Sequence, residues 1–259
     1  MDFGTVLANY ARGICGGLLF SLPMIYTMEM WWAGIQLYPI RQAGYFTVCL
    51  FLLVGFNRYV GLRSNRSWAG VVGDAVEALG LGVVLSYGLL SLLGRFEPGE
   101  IFSAVLGKTI MEAGLVSIGV SVGKSQMGST PDEEGMEGEG AEIADCWHGQ
   151  LMFAVCGAVI VAASVGPTEE IQQLSDISPW RILLLALVSL VLGLVVLYFS
   201  DFVNSRPRGG VLEVAAGSMH NYCVALCMSA GLLFIFGRFD GLALGPIIDQ
   251  VVVLGFPAS

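Results

Sequence analysis

An all-α, polytopic membrane helix bundle, built as two tandem parallel four-helix repeats, is the fold this sequence predicts, and three observations predict it. The first is composition: 55% of the residues are hydrophobic, only 13% are charged, and the mean hydropathy is +0.75. A soluble domain carries about a quarter charged residues, so this chain cannot cover itself with polar surface and takes lipid as its solvent. The second is a succession of apolar runs, most of them near the roughly 20 residues that cross about 30 Å of hydrocarbon. The third is self-similarity at an offset near 140 residues.

Seven runs are long enough for full spans: residues 14–36, 43–62, 68–93, 101–123, 148–166, 180–200 and 211–237. An eighth begins near Leu242 and reads as a short or truncated helix within the 259 residues. Pro23 lies inside the first run and is expected to kink it, because proline frees a backbone carbonyl one turn earlier. The 35 glycines suit helices that approach closely in lipid. Between the fourth and fifth runs, seven of the 21 acidic residues fall between Asp132 and Asp145, in a glycine-rich stretch without aromatics that is expected to stay solvated. The expected organisation is therefore a first membrane repeat over residues 1–123, an acidic linker over 124–147 and a second repeat over 148–259.

The duplication rests on polar landmarks in constant order. Cys15-Gly16 falls on Cys156-Gly157, and Thr27-Met28-Glu29 on Thr168-Glu169-Glu170, at an offset of 141. Pro39-Ile40-Arg41 falls on Pro179-Trp180-Arg181 at 140, and Gly94-Arg95-Phe96-Glu97 on Gly237-Arg238-Phe239-Asp240 at 143. An even number of helices per repeat makes both copies face the same way, related by an axis along the membrane normal. Seven basic residues (Arg12, Arg58, Arg63, Arg66, Lys124, Arg206 and Arg208) lie on the N-terminal side, against Arg41, Arg95, Arg181 and Arg238 on the other. The excess predicts a cytoplasmic N-terminus and a cytoplasmic linker.

Ionisable groups within spans cost roughly 2.5–3.5 kcal/mol each on insertion scales and are functional candidates for that reason. Glu29, beside the interfacial pair Trp31 and Trp32, is expected near the outer mouth, and the repeat places Glu170, with Glu169 beside it, at the corresponding point. Two such carboxylates would attract a cation and replace part of its hydration shell; the competing reading is that they accept hydrogen bonds or cap exposed backbone. Asp74 and Glu77 lie one turn apart, and the 143 offset sets His220 opposite Glu77, where an acid and an imidazole would bind a cation or relay a proton. Asp74 and Glu213 lie shallow enough to reach headgroup water. Lys108 and Glu112, at i and i+4, read as a self-neutralising structural pair inside the bundle.

The function classes excluded are as informative. The chain has no Gly-x-Ser-x-Gly, His-Glu-x-x-His or phosphate-binding loop, so no enzyme activity is expected. With two histidines, His148 and His220, a histidine-rich metal hydrolase is ruled out. His220, Cys223 and Cys227 share a helix face, but one helix offers poor tetrahedral geometry, so no metal or cofactor is expected. The six cysteines mostly sit in apolar runs as small hydrophobes, without a secreted disulfide pattern. No basic or aromatic pattern points to nucleic acid, and no cleavable signal peptide is evident.

Over Leu22-Pro-Met-Ile-Tyr-Thr-Met-Glu-Met-Trp31 and Pro167-Thr-Glu-Glu-Ile171, the chain resembles a bacterial family of integral membrane proteins of unknown function. The resemblance implies a bacterial inner (plasma) membrane location and carries no activity. The function expected from the residues is a channel or transporter for a small cation, Ca²⁺ or a monovalent ion, selected by acidic residues at the outer mouth. A transporter or receptor for a small organic molecule, and a scaffold recruiting a partner through the acidic linker, are the alternatives. The expected partners are the lipid bilayer, that cation and other copies of the chain in a homo-oligomer.

Overall fold

The computed structural model describes residues 3–60, 67–126, 147–199 and 211–259. Every secondary-structure element among them is an α-helix. Six helices among the described residues are long and apolar enough to cross a membrane, which makes the chain a multi-pass membrane protein. It divides into two compact units, residues 1–144 and 145–259.

The first unit contains α1 (Phe3–Ile25), α2 (Met28–Gln36), α3 (Pro39–Tyr59), α4 (Trp68–Leu92) and α5 (Phe102–Gln126). The expected first span, 14–36, is corrected here: it is two helices. Pro23 lies in the last turn of α1, and the helix ends two residues later at Ile25. There the backbone N–H and the hydroxyl of Thr27 both donate to the Met24 carbonyl, at 2.9 and 2.8 Å, which closes the turn before α2 begins. Helix α3 starts on Pro39, whose fixed φ and missing N–H suit a first helical position.

Helix α5 is the axis of this unit. It packs against α1, α2, α3 and α4, and every residue from Met111 to Val120 is buried. Glycine makes that possible at two close approaches. A Cβ at Gly16 would stand 2.6 Å from the Gly119 carbonyl oxygen and against the Gly123 backbone, so α1 and α5 meet backbone to backbone. A Cβ at Gly34 would stand 2.6 Å from the Gly107 carbonyl carbon, which brings α2 onto the start of α5 in the same way.

The second unit contains α6 (Trp147–Val165), α7 (Glu170–Ser175), α8 (Pro179–Phe199), α9 (Val211–Ile235) and α10 (Leu244–Ala258). Helix α9 packs against α6, α8 and α10, while α8 is the most apolar span and the least covered. Leu183, Leu187, Val191 and Val196 are exposed along α8, as a lipid-facing helix requires. Helix α10 is short, 15 residues, as expected for the run after Leu242. The acidic stretch of residues 127–146 lies outside the described residues.

The loops that close α4 and α9 share one geometry. Arg95 N–H donates to Leu90 O and Gly94 N–H to Ser91 O, with Gly94 at φ +64°. Arg238 N–H donates to Leu233 O and Gly237 N–H to Phe234 O, with Gly237 at φ +74°. Both are Schellman caps, and only glycine enters the left-handed region at that point without strain.

Candidate functional site

The chemistry of the first unit is concentrated on α5. Lys108 and Glu112 sit in its first third and near its centre, both buried, at 4% and 0% exposure. They do not form the pair that their spacing predicts, and this is a correction. The Lys108 ammonium instead turns toward the α4–α5 loop, where it lies 2.6 Å from a Glu100 carboxylate oxygen and donates to the Arg95 carbonyl at 2.8 Å. Its Nζ also stands 6.0 Å from the centre of the Phe96 ring. Helical spacing brings two side chains within reach of each other, but a partner offered by a neighbouring loop competes for the same charge.

Glu112 is left with both carboxylate oxygens buried and without a hydrogen-bond partner. It is the eleventh residue of the 25 in α5, so it sits about 15 Å along the helix, near the middle of a span. Across from it on α3, Tyr45 is buried and donates its hydroxyl to the Met111 carbonyl at 3.1 Å, tying α3 to α5. On α4, the Ser86 hydroxyl is likewise buried and without a partner.

The two ends of this unit differ. At the end that carries the α1–α2 break, the Arg95 guanidinium lies over the Trp31 ring at 5.2 Å, and Gln42 donates to the carbonyls of Gly34 and Leu37. Glu29 occupies the first turn of α2, half-buried, a position where helix N–H groups favour a carboxylate. The Lys108 ammonium that hydrogen-bonds Glu100 holds this loop carboxyl below the usual carboxylate range, against the partial burial that raises it. At the opposite end, Lys124 donates to Glu77 at 2.8 Å and lies 5.3 Å from the Tyr10 ring centre. Glu77 is thus engaged by a cation of its own unit, and Asp74 is half-buried one turn earlier on α4.

In the second unit, Glu169 and Glu170 are exposed at the start of α7, and Thr168 repeats the turn of Thr27 by donating from both N–H and hydroxyl to Val165 O. Arg238 donates to the Pro167 carbonyl, so the α9–α10 loop is anchored beside the Pro-Thr-Glu-Glu stretch. His220 packs against Trp147 at 6.0 Å between ring centres, with its Nε2 buried and unpartnered. Glu213 belongs to α9, and its side chain lies outside what is described. Among the described residues no three His, Cys, Asp or Glu side chains converge as a metal-ligand set.

Sequence reasoning missed Ser86 and Ser229. Both are fully buried with unpartnered hydroxyls, and they stand 143 residues apart, the offset that aligns the loops beyond them. The signal was therefore present, hidden among alanine, glycine and leucine. No curated protein and no solved structure matches the chain. A family model does, over residues 9–259, which is nearly the whole polypeptide, so the chain belongs to the family described as "Putative integral membrane protein (DUF2391)".

Proposed function

We propose that this protein passes a small cation across a bacterial inner membrane, without enzymatic chemistry. The observation that carries this reading is Glu112: a carboxyl at the centre of the most enclosed helix, with neither oxygen hydrogen-bonded. An isolated ionised carboxylate in an apolar interior costs many kcal/mol, so such a group is held neutral or meets a cation, and it is a functional candidate by default. Glu29, Glu169 and Glu170, each partly or fully exposed, supply negative potential that would gather the cation. The excess of arginine and lysine on the other side supports a cytoplasmic N-terminus.

The reading includes a tandem duplication with parallel repeats. It is supported by the same order in each unit of a long helix, a short helix, two long helices and a glycine-closed loop before the last helix. It is supported further by the matching threonine turns at Thr27 and Thr168 and the matching Schellman caps at Gly94 and Gly237.

Proteoliposome uptake of Na⁺, K⁺ and Ca²⁺ tests the function. Wild type is expected to exceed empty liposomes for at least one ion, Glu29→Gln to reduce that uptake strongly, and Glu170→Gln to reduce it more weakly because it is the more exposed of the two. Equal uptake in all three proteins removes these carboxylates from the pathway. No uptake by wild type under any gradient favours the scaffold or receptor readings.

A further inference from the structure

Glu112 and the break between α1 and α2 occupy the same level of the first unit. Gly17 of α1 opposes Val116 and Val120 of α5, and Gly34 of α2 opposes Gly107 and Lys108. The chain between Gly17 and Gly34 therefore crosses α5 between Val116 and Lys108, and Glu112 is the polar residue of that interval whose carboxyl has no partner. The last carbonyls of α1 have no donor within the helix, and that of Met24 takes Thr27. Broken membrane helices use such carbonyls, with a nearby carboxylate, to hold small cations. Met24, fully buried, helps exclude water from the same level.

Charge decides the class of ion. One carboxylate neutralises one positive charge. A divalent ion would leave a net positive charge in a dry interior, one helical turn from the residue that carries the Lys108 side chain. The ionisable groups on the elements around Glu112 do not alter that count. Tyr45 and Cys49 of α3 are buried, Glu29 of α2 lies beyond the break, Glu77 of α4 is held by Lys124, Asp74 is one turn from Glu77 and α1 has none from Gly16 to Ile25.

Lys108 is the natural rival of that ion, since at i−4 its ammonium can reach Glu112. We propose that Glu112, with carbonyls freed at the α1–α2 break, binds a monovalent cation in exchange for a proton, and that Glu100 keeps the site open by holding Lys108 away. The proposal rests on the cation reading above and adds the ion class and a latch. With Glu100 engaged, Lys108 is satisfied by the loop carboxylate and Arg95 O. When that carboxylate is lost, a buried ammonium must find another anion, and the one within a turn is Glu112.

The test reads the site without transport. Dicyclohexylcarbodiimide adds to protonated carboxyls in apolar surroundings, and peptide mass spectrometry of the purified full chain locates the adduct. Wild type is expected to be labelled at Glu112, with labelling slowed roughly tenfold by NaCl or KCl relative to choline chloride. Glu100→Gln is expected to lose labelling to a similar extent, because Lys108 now pairs with an ionised Glu112, and Glu100→Gln/Lys108→Gln to regain it. Lys108→Gln alone keeps the question open if Glu100→Gln does not fold: NaCl or KCl should then protect at lower concentration than in wild type. Any of four results overturns the proposal. They are no adduct at Glu112, protection by CaCl₂ but by neither monovalent salt, unchanged labelling in Glu100→Gln, and unchanged protection in Lys108→Gln. None of these depends on flux, so a failed uptake assay and a failed latch are told apart.

Discussion

The two units arrange their helices in the same order, yet they enclose opposite chemistry. In the first, α5 runs for 25 residues and carries a buried lysine and a buried glutamate. In the second, α10 runs for 15 residues; setting its first residue, Leu244, on the first of α5, Phe102, an offset of 142, places Gln250 at the position of Lys108 and Leu254 at that of Glu112 in the duplication we propose. Both substitutes are buried, Gln250 at 3% and Leu254 at 0% exposure, so the environment is retained while the charge is absent. Buried serines persist in both, at Ser86 and Ser229. A scaffold with two equivalent halves would have no reason to keep a costly acid in only one of them. The contrast places the fully enclosed acid of the proposed pathway in the first unit, whereas the acid of α10, Asp249, is half-buried.

Packing at corresponding glycines breaks or sharpens this contrast most forcefully. Gly16 and Gly157 align at an offset of 141, but a Cβ at Gly16 collides with α5 backbone, whereas at Gly157 it meets nothing within 4 Å. Backbone cannot give way as a flexible side chain can. Gly16→Ala is expected to cost about 3 kcal/mol or more, at the upper end of overpacking effects, or to prevent folding. Gly157→Ala is expected to be neutral or to stabilise by up to about 1 kcal/mol, the helix-propensity gain. Thermal unfolding in detergent measures both. Equal destabilisation would mean that both units pack their first helix alike.

Exchanging the residues at the Glu112 position probes the charge itself. Glu112→Leu copies Leu254 and removes an unpartnered buried carboxyl, so it should raise the melting temperature by about 3–5 °C while abolishing cation uptake. Leu254→Glu should lower it by a similar amount, because it buries a new carboxyl among apolar neighbours. A drop in stability for Glu112→Leu would show that the carboxylate holds the bundle together.

The elements that sequence reasoning read correctly are those that hydropathy alone determines. Six spans match their apolar runs within a few residues, since length and polarity of a run are local properties. The first span was misread because Ile25, Tyr26, Thr27 and Met28 are apolar enough to carry hydropathy straight through a break. The evidence for the break lay in Pro23 and in a threonine able to take over a carbonyl, neither of which hydropathy registers. Lys108 was assigned to Glu112 because helical spacing is visible in a sequence and loop paths are not. Its actual partner, Glu100, sits in a loop whose course depends on left-handed glycines at 94 and 99. Glu29 was expected inside a continuous first span, yet it stands in the first turn of a separate short helix, as does Glu170, and the carboxyl most deeply enclosed was the one set aside as half of a neutral pair.

The smallest expected effect is the pH dependence of the latch. Glu100 is lowered first by the hydrogen bond from Lys108, with help from the Glu97 N–H, while partial burial opposes the shift. A carboxyl whose folded value is depressed contributes stability in full above its unfolded value, about 4.3 for glutamate, and loses it as pH falls through the folded value. With Glu112 replaced by Leu, so that no proton exchanges there, the difference in melting temperature made by Glu100→Gln should therefore be constant from neutral pH down to about pH 5, shrink below that, and vanish only below the depressed value. A difference that already fades near neutral pH would place Glu100 on the raised side of its ordinary range. The ion pair would then be too weak to keep Lys108 from Glu112.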